Sequence, residues 1–418
     1  MKVLQINTRY KNGGSTGRIV YDLMQVSELN GIEAYVAYGY EFDNEHDEHT
    51  LCMEGKIELT ISKLQSRIFA RHGFYNQAAT KRLLNYLADI QPDIIHLHNM
   101  HNHYVHNEMV FEYIKKHDIP VVWTLHDCWS FTGWCAYFDY AKCGKWRTHC
   151  HSCPCKNDYP FTWFSARARS NFDLKQKTFC GVKQMTLVTP SQWLADLTRY
   201  SFLKDYPVKV INNGVDTSIF RPCSNDAKEK LGVKGKKLFL AMASGFGIRK
   251  GGDYLRQLPE LLNDDEVLVL VGKGASVLAA ENSTKVIGIE YTNDVQELAS
   301  YYSAADVFIN PTLEDNFPTT NIEALACGTP VVTFDTGGSV EAILAGGIIM
   351  EDNNVRKTNV GAVVLQGDIH LLLNAAREIC IQGKTNYTSY CREKACERYD
   401  KKSQYQKYVE LYKSLIAL

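Results

Sequence analysis

The sequence predicts an α/β protein of two doubly wound, Rossmann-like domains facing a cleft, and three observations carry that expectation. Strand-like and helix-like patterns alternate in two successive runs of about 200 residues each. Each run begins with an apolar strand, a glycine-bearing turn and a helix: residues 2–7 before Gly13-Gly14-Ser15-Thr16-Gly17, and residues 237–243 before the stretch ending Arg249-Lys250-Gly251-Gly252. The chain of 418 residues, 45% hydrophobic and 22% charged, is long enough to bury two cores.

Composition narrows the function classes. With 46 basic against 47 acidic residues the net charge is −1, so no bulk attraction to nucleic acid or membrane is implied. Polar residues interrupt positions 1–9 too early for a signal peptide, and no apolar run approaches the roughly 20 residues of a membrane span. A cytoplasmic protein is expected. Its 13 cysteines, in a chain with no export signal, point to thiols or a metal rather than disulfides.

In the first half, the Gly13-Gly14 loop between a strand and a helix running to about residue 29 brings backbone N–H groups near an anion, although its spacing is not G-x-G-x-x-G. A strand over 92–99 ends in His98 and Asn99, and one over 121–125 ends in His126-Asp127. Both tips lie at the carboxyl edge of a parallel sheet, where function concentrates. Six cysteines follow within residues 127–159. Cys150-x-x-Cys153 can wrap a metal, and Cys135 and Cys143 complete a tetrahedral thiolate set, with His149, His151 or Cys155 as substitutes. A structural zinc is expected there. Next, Tyr159, Phe161, Trp163 and Phe164 stand beside Arg167 and Arg169, with Lys142, Lys145 and Arg147 upstream. Aromatics interleaved with cations suit an acceptor that is part sugar and part lipid diphosphate at a membrane surface; a zinc module gripping RNA would want the same residues.

In the second half, Arg249-Lys250 at a helix start is placed for a diphosphate. Further on, residues 309–334, INPTLEDNFPTTNIEALACGTPVVTF, predict strand, loop, helix and strand. Pro311 takes the chain out of the sheet, Thr319 or Thr320 caps a helix over 321–327, Gly328 stops it, and Pro330 leads into the strand 331–333. Asp315 on the loop and Glu323 in the helix can then face the same sheet edge and accept hydrogen bonds from paired sugar hydroxyls.

Asp315, seven residues, Glu323-Ala, then Ala-Cys-Gly-Thr-Pro-Val-Val resembles the sugar-nucleotide site of family 4 glycosyltransferases of the GT-B fold. That resemblance implies Glu323 on the nucleotide ribose and Asp315 on the donor sugar, where the family usually has Glu and where Glu314 could substitute. It implies the loop Asn316-Phe317-Pro318-Thr319 and the Gly13-Gly14 turn near the diphosphate, Lys250 on the phosphates with Arg249 as second charge, and His126 near the donor sugar. It further implies retaining transfer of a hexose from a nucleoside diphosphate sugar to a saccharide acceptor, lipid-linked, in polysaccharide biosynthesis, with no cofactor for catalysis, no nucleic acid partner and peripheral contact with the inner face of the cell membrane. The expected domains are 1–211 on the acceptor side with a cysteine-rich insertion at 127–159, 212–402 for the nucleotide sugar, and a helix 403–418 returning to the first domain. A sugar-nucleotide epimerase or hydrolase of the same fold and a zinc-containing nucleic-acid binder are the alternatives.

Overall fold

A computed structural model describes residues 1–11, 14–40, 48–164, 166–224, 226–280, 285–290, 292, 294–352 and 354–417. The chain divides into two compact units: unit 1, Met1–Asn212 with Gln404–Leu418, and unit 2, Asn213–Ser403.

Unit 1 is built on seven parallel strands, β1 (Lys2–Asn7), β2 (Glu33–Tyr38), β3 (Thr50–Cys52), β4 (Ile94–Leu97), β5 (Val121–Thr124), β6 (Met185–Thr189) and β7 (Val208–Val210), in the order β3-β2-β1-β4-β5-β6-β7. Helices cover both faces, so the central strands are apolar almost throughout, as Ile94-Ile95 and Val121-Val122-Trp123 are. The few polar side chains on them are satisfied. His96 on β4 joins the Tyr412 hydroxyl at 2.6 Å and the Thr124 hydroxyl at 2.8 Å. Tyr412 belongs to the last helix, Lys401–Ile416, whose Tyr405, Tyr408, Val409 and Leu411 pack with Val3, Ile94, Val122 and Val188.

Unit 2 contains β8 (Lys237–Met242), β9 (Glu266–Val271), β10 (Val286–Ile289), β11 (Val307–Asn310), β12 (Val331–Phe334), β13 (Ile348–Glu351), β14 (Val355–Thr358) and β15 (Gly361–Val364), in the order β10-β9-β8-β11-β12-β15-β14-β13. All pairings up to β15 are parallel, and β14 and β13 add an antiparallel hairpin at the edge. Sequence patterning does not mark the strands at 348–358. The hairpin escapes periodicity because all four β13 residues are exposed; its turn is closed by Asp352, which accepts from the Asn354 and Val355 N–H groups at 2.7 Å each.

In each sheet the order reverses between the first strand of the unit and a later one, β1 with β4 and β8 with β11. The crevice beyond the carboxyl ends of such a pair is where doubly wound sheets bind ligands.

Candidate active site at the switch point of unit 2

The loops that follow β8 and β11 meet at this crevice. After β8 a single 3₁₀ turn, Ile248–Lys250, delivers Arg249 and Lys250. Gly251 then adopts φ 75°, and a Cβ there would lie 2.1 Å from the Pro311 carbonyl oxygen, so glycine alone lets the two loops touch. The loops are also joined by hydrogen bonds. The Arg249 carbonyl accepts from the Leu313 N–H at 2.8 Å and the Thr312 hydroxyl at 3.1 Å, while the Arg249 guanidinium donates to the Glu314 carbonyl at 2.7 Å.

This stitching brings Lys250 directly onto Asp315, ammonium to carboxylate. Asp315 is fixed from two further sides: its carboxylate accepts its neighbour Asn316 N–H at 2.9 Å, and its carbonyl accepts the Gly338 N–H at 3.0 Å. Gly337, at φ 53°, allows that approach, since a Cβ would lie 2.3 Å from the same carbonyl. Burial pushes the Asp315 carboxyl up, but the Lys250 and Arg249 charges outweigh it and hold the group below its ordinary value. Burial lowers the Lys250 ammonium against the pull of Asp315. Glu314, open in the sequence as a substitute for Asp315, is wholly buried.

Glu323 sits in the second turn of the helix Thr319–Ala326 and is only partly buried; the Tyr302 hydroxyl, from the helix Val295–Ala304, donates to it at 2.9 Å. Neither threonine is the cap. The helix starts two residues earlier than expected, with Pro318 in the cap position, Thr319 and Thr320 already helical, and no side-chain cap bond. Proline's fixed φ, here −66°, suits the entry to a helix, and the first N–H groups are left without a capping side chain. Phe317 is buried with its ring 5.6 Å from that of Tyr399, so it offers the site only its backbone.

Sequence reasoning missed Tyr302, Thr312 and the part played by Gly337 and Gly338. The glycine pair was visible as a turn; nothing marks one tyrosine of a helix as the partner of a carboxylate twenty-one residues on.

Unit 1 presents its own set at the carboxyl edge. Gly14, at φ 84°, opens the helix Gly14–Leu29; Gly13 lies outside the described residues. His126 follows β5 and stacks on His98, with ring nitrogens 3.1 Å apart, and His98 reaches Gln5 at 3.2 Å. Burial lowers His126 to about 4, more than Asp127 raises it, so the ring is neutral. Asp127 meets His101 at 3.0 Å, and the Tyr159 hydroxyl meets the other nitrogen of His101 at 2.8 Å.

The zinc expectation finds no support. Among the described residues no group of three or more His, Cys, Asp or Glu side chains could hold a metal ion. Cys135, Cys143, Cys150 and Cys153 are free thiols. Cys135 hydrogen-bonds to Cys153 and Cys155, and Cys153's bonds with Cys135, first, and with Cys155 lower it to about 4. The segment is held by aromatic packing of Phe131, Phe138 and Trp146, with ring centroids 5.0–6.4 Å apart, which needs no metal. No helix among the described residues is long and apolar enough to cross a membrane.

Comparison with known proteins gives these observations a context. The model of Glycosyltransferase Family 4 matches residues 16–219, and that of Glycosyl transferases group 1 matches residues 238–381. WcaC of Escherichia coli K12, named for a glycosyl transferase role in colanic acid biosynthesis, is 27% identical over 367 residues, covering 83% of this chain and 86% of that one. Among solved structures, the sucrose-phosphate synthase of Thermosynechococcus elongatus superposes with a TM-score of 0.72 at 17% identity, over 100% of this chain and 99% of that one. HepE of Anabaena, in complex with UDP-glucose, gives 0.65 at 15% identity, over 99% and 100%. These matches leave the epimerase, hydrolase and nucleic-acid alternatives without support. With the two family models matching in succession along a GT-B fold, the chain belongs to the family 4 glycosyltransferases and is a glycosyltransferase.

Proposed function

We propose that the protein transfers a hexose, with retention, from a nucleoside diphosphate sugar to a lipid-linked saccharide in surface polysaccharide biosynthesis, on the cytoplasmic face of the membrane. The observation that carries the donor half is the Lys250–Asp315 pair beside the uncapped start of the helix that bears Glu323. An ammonium, a neighbouring guanidinium and bare helix N–H groups suit a diphosphate, and two carboxylates suit the hydroxyls on either side of it. In this proposal Glu323 holds the ribose, Asp315 the sugar, and Lys250 moves from Asp315 to the phosphates. Uridine is the base to test first, because the similar HepE holds UDP-glucose.

The departing diphosphate gains negative charge as the glycosidic bond breaks, and Lys250, Arg249 and the helix N–H groups stabilise that charge where it develops. Those residues supply no carboxylate set for attack from the opposite face. Same-face transfer, with a phosphate oxygen of the leaving group taking the acceptor's proton, accounts for retention. No cofactor is assigned a step. The relative named for colanic acid biosynthesis and the aromatic and basic segment 159–169 support the acceptor half.

The test is transfer of labelled hexose from a panel of nucleotide sugars to bacterial lipid extract. A labelled lipid with the donor's anomeric configuration is expected, and Lys250→Ala should lower the rate about a hundredfold or more. Unchanged turnover in that variant removes Lys250 from the mechanism, and donor breakdown without labelled lipid overturns the lipid-linked acceptor.

A further inference from the structure

The helix Lys56–Phe69 in unit 1 is amphipathic in the wrong sense for a soluble protein. Its buried side consists of Leu59, Ser62 and Ser66, whereas Ile57, Ile61, Leu64 and Phe69 are exposed, Ile57 by 78% and Ile61 by 53%. The segment after Pro160 lies against the end of this helix: the Arg67 carbonyl accepts the Trp163 N–H at 3.1 Å and the Thr162 hydroxyl at 2.8 Å. Trp163 and Phe164, 51% and 65% exposed, thereby extend the apolar ridge. Contiguous exposed apolar surface of this kind marks an interaction site.

Its charge says with what. Lys56, Lys63, Arg67 and Arg71 line the same helix and its end, and Arg67 covers the Trp163 ring at 5.9 Å. The helix has one carboxylate, Glu58, which the Arg82 guanidinium holds at 3.1 Å. No described carboxylate pairs with Lys63, Arg67 or Arg71.

We propose that the helix Lys56–Phe69 and the segment 161–164 dock unit 1 on an anionic lipid bilayer, the apolar ridge entering the acyl boundary and Lys63 and Arg67 taking headgroup phosphates. Aliphatic and aromatic side chains on one face with cations beside them are the composition of helices that lie in a membrane interface. The inference rests on the lipid-linked acceptor proposed above and names the surface that brings the enzyme to it.

The test is sedimentation of the full chain, without donor, with vesicles of phosphatidylglycerol and phosphatidylcholine or of phosphatidylcholine alone. Wild type should bind the anionic vesicles far more tightly. Lys63→Gln with Arg67→Gln should weaken that binding about thirtyfold, two cations' worth at an anionic surface. Ile61→Asp with Leu64→Asp should abolish it, and Trp163→Ala with Phe164→Ala should weaken it if the first pair fails to fold. Wild type that stays in the supernatant, or an aspartate pair that still sediments, overturns the proposal. Self-association in solution that the aspartate pair abolishes would assign the face to a second copy instead. Nucleotide-induced stabilisation, measured separately, tells failure of docking from failure of the transferase reading.

Discussion

Tyr302 is the partner that orients Glu323, and it makes the residue-scale account testable. Its hydroxyl is buried and donates to a carboxylate that the proposal places on the ribose. Burial first, and then Glu323, raise the phenol well above its ordinary value, so it stays protonated and remains a donor. Tyr302→Phe removes that bond to a charged group without changing volume. Nucleotide affinity should fall about tenfold, the weight of a hydrogen bond to an ion, in a calorimetric titration. Unchanged affinity would mean that Glu323 does not need orienting.

At the scale of elements, the site depends on two loops touching, and Gly251 is where they touch. Gly251→Ala would place a methyl group 2.1 Å from the Pro311 carbonyl oxygen in a positive-φ backbone. The loops must part, and Lys250 and Asp315 with them. A destabilisation of about 2 kcal/mol or more in denaturant unfolding, together with loss of nucleotide-induced stabilisation, is expected. Stability like that of wild type would contradict the contact. The sequence foretold much of this region: Asn310-Pro311 ends a strand, Thr-Pro-Val-Val begins one, and Arg249-Lys250 stands at a helix start. What it could not foretell follows from tertiary choices. Thr319 and Thr320 are good cap residues, but proline before them takes the cap position and draws both into the first turn. The strand β13 carries Ile348-Ile349-Met350 at an exposed edge, where no alternation distinguishes it from a loop. Cysteine spacing says how far apart thiols lie along the chain, not where they point: Cys135, Cys143, Cys150 and Cys153 line one small cavity, and Cys135 hydrogen-bonds to Cys153 and Cys155.

For the whole molecule, histidines set the response to acid. Of 13, only His370 lies in unit 2, and it is exposed. In unit 1, burial lowers His103 and His126 to about 4 and His72, His96 and His98 well below 6.5. These rings stay neutral in the folded unit while the unfolded chain takes up protons below about pH 6.5. Their penalty is therefore absent above that pH and grows below it; for His103 and His126 stability falls by about 1.4 kcal/mol per pH unit each between 6.5 and about 4. Hydrogen-exchange protection at residues 94–97 and 121–124 should decline from pH 7 to pH 5 while residues 307–310 and 331–334 keep theirs; equal loss in both would contradict this. In the proposed reaction unit 2 grips a nucleoside diphosphate sugar through Glu323 and the Lys250–Asp315 pair. That grip is tested most directly by thermal stability against UDP, GDP, ADP and dTDP sugars, wild type beside Glu323→Ala. At a hundred times its dissociation constant a ligand adds about 2.7 kcal/mol of stability. Stabilisation by one nucleotide class that Glu323→Ala abolishes is the predicted result; stabilisation by none, or an equal effect in the variant, would contradict the account.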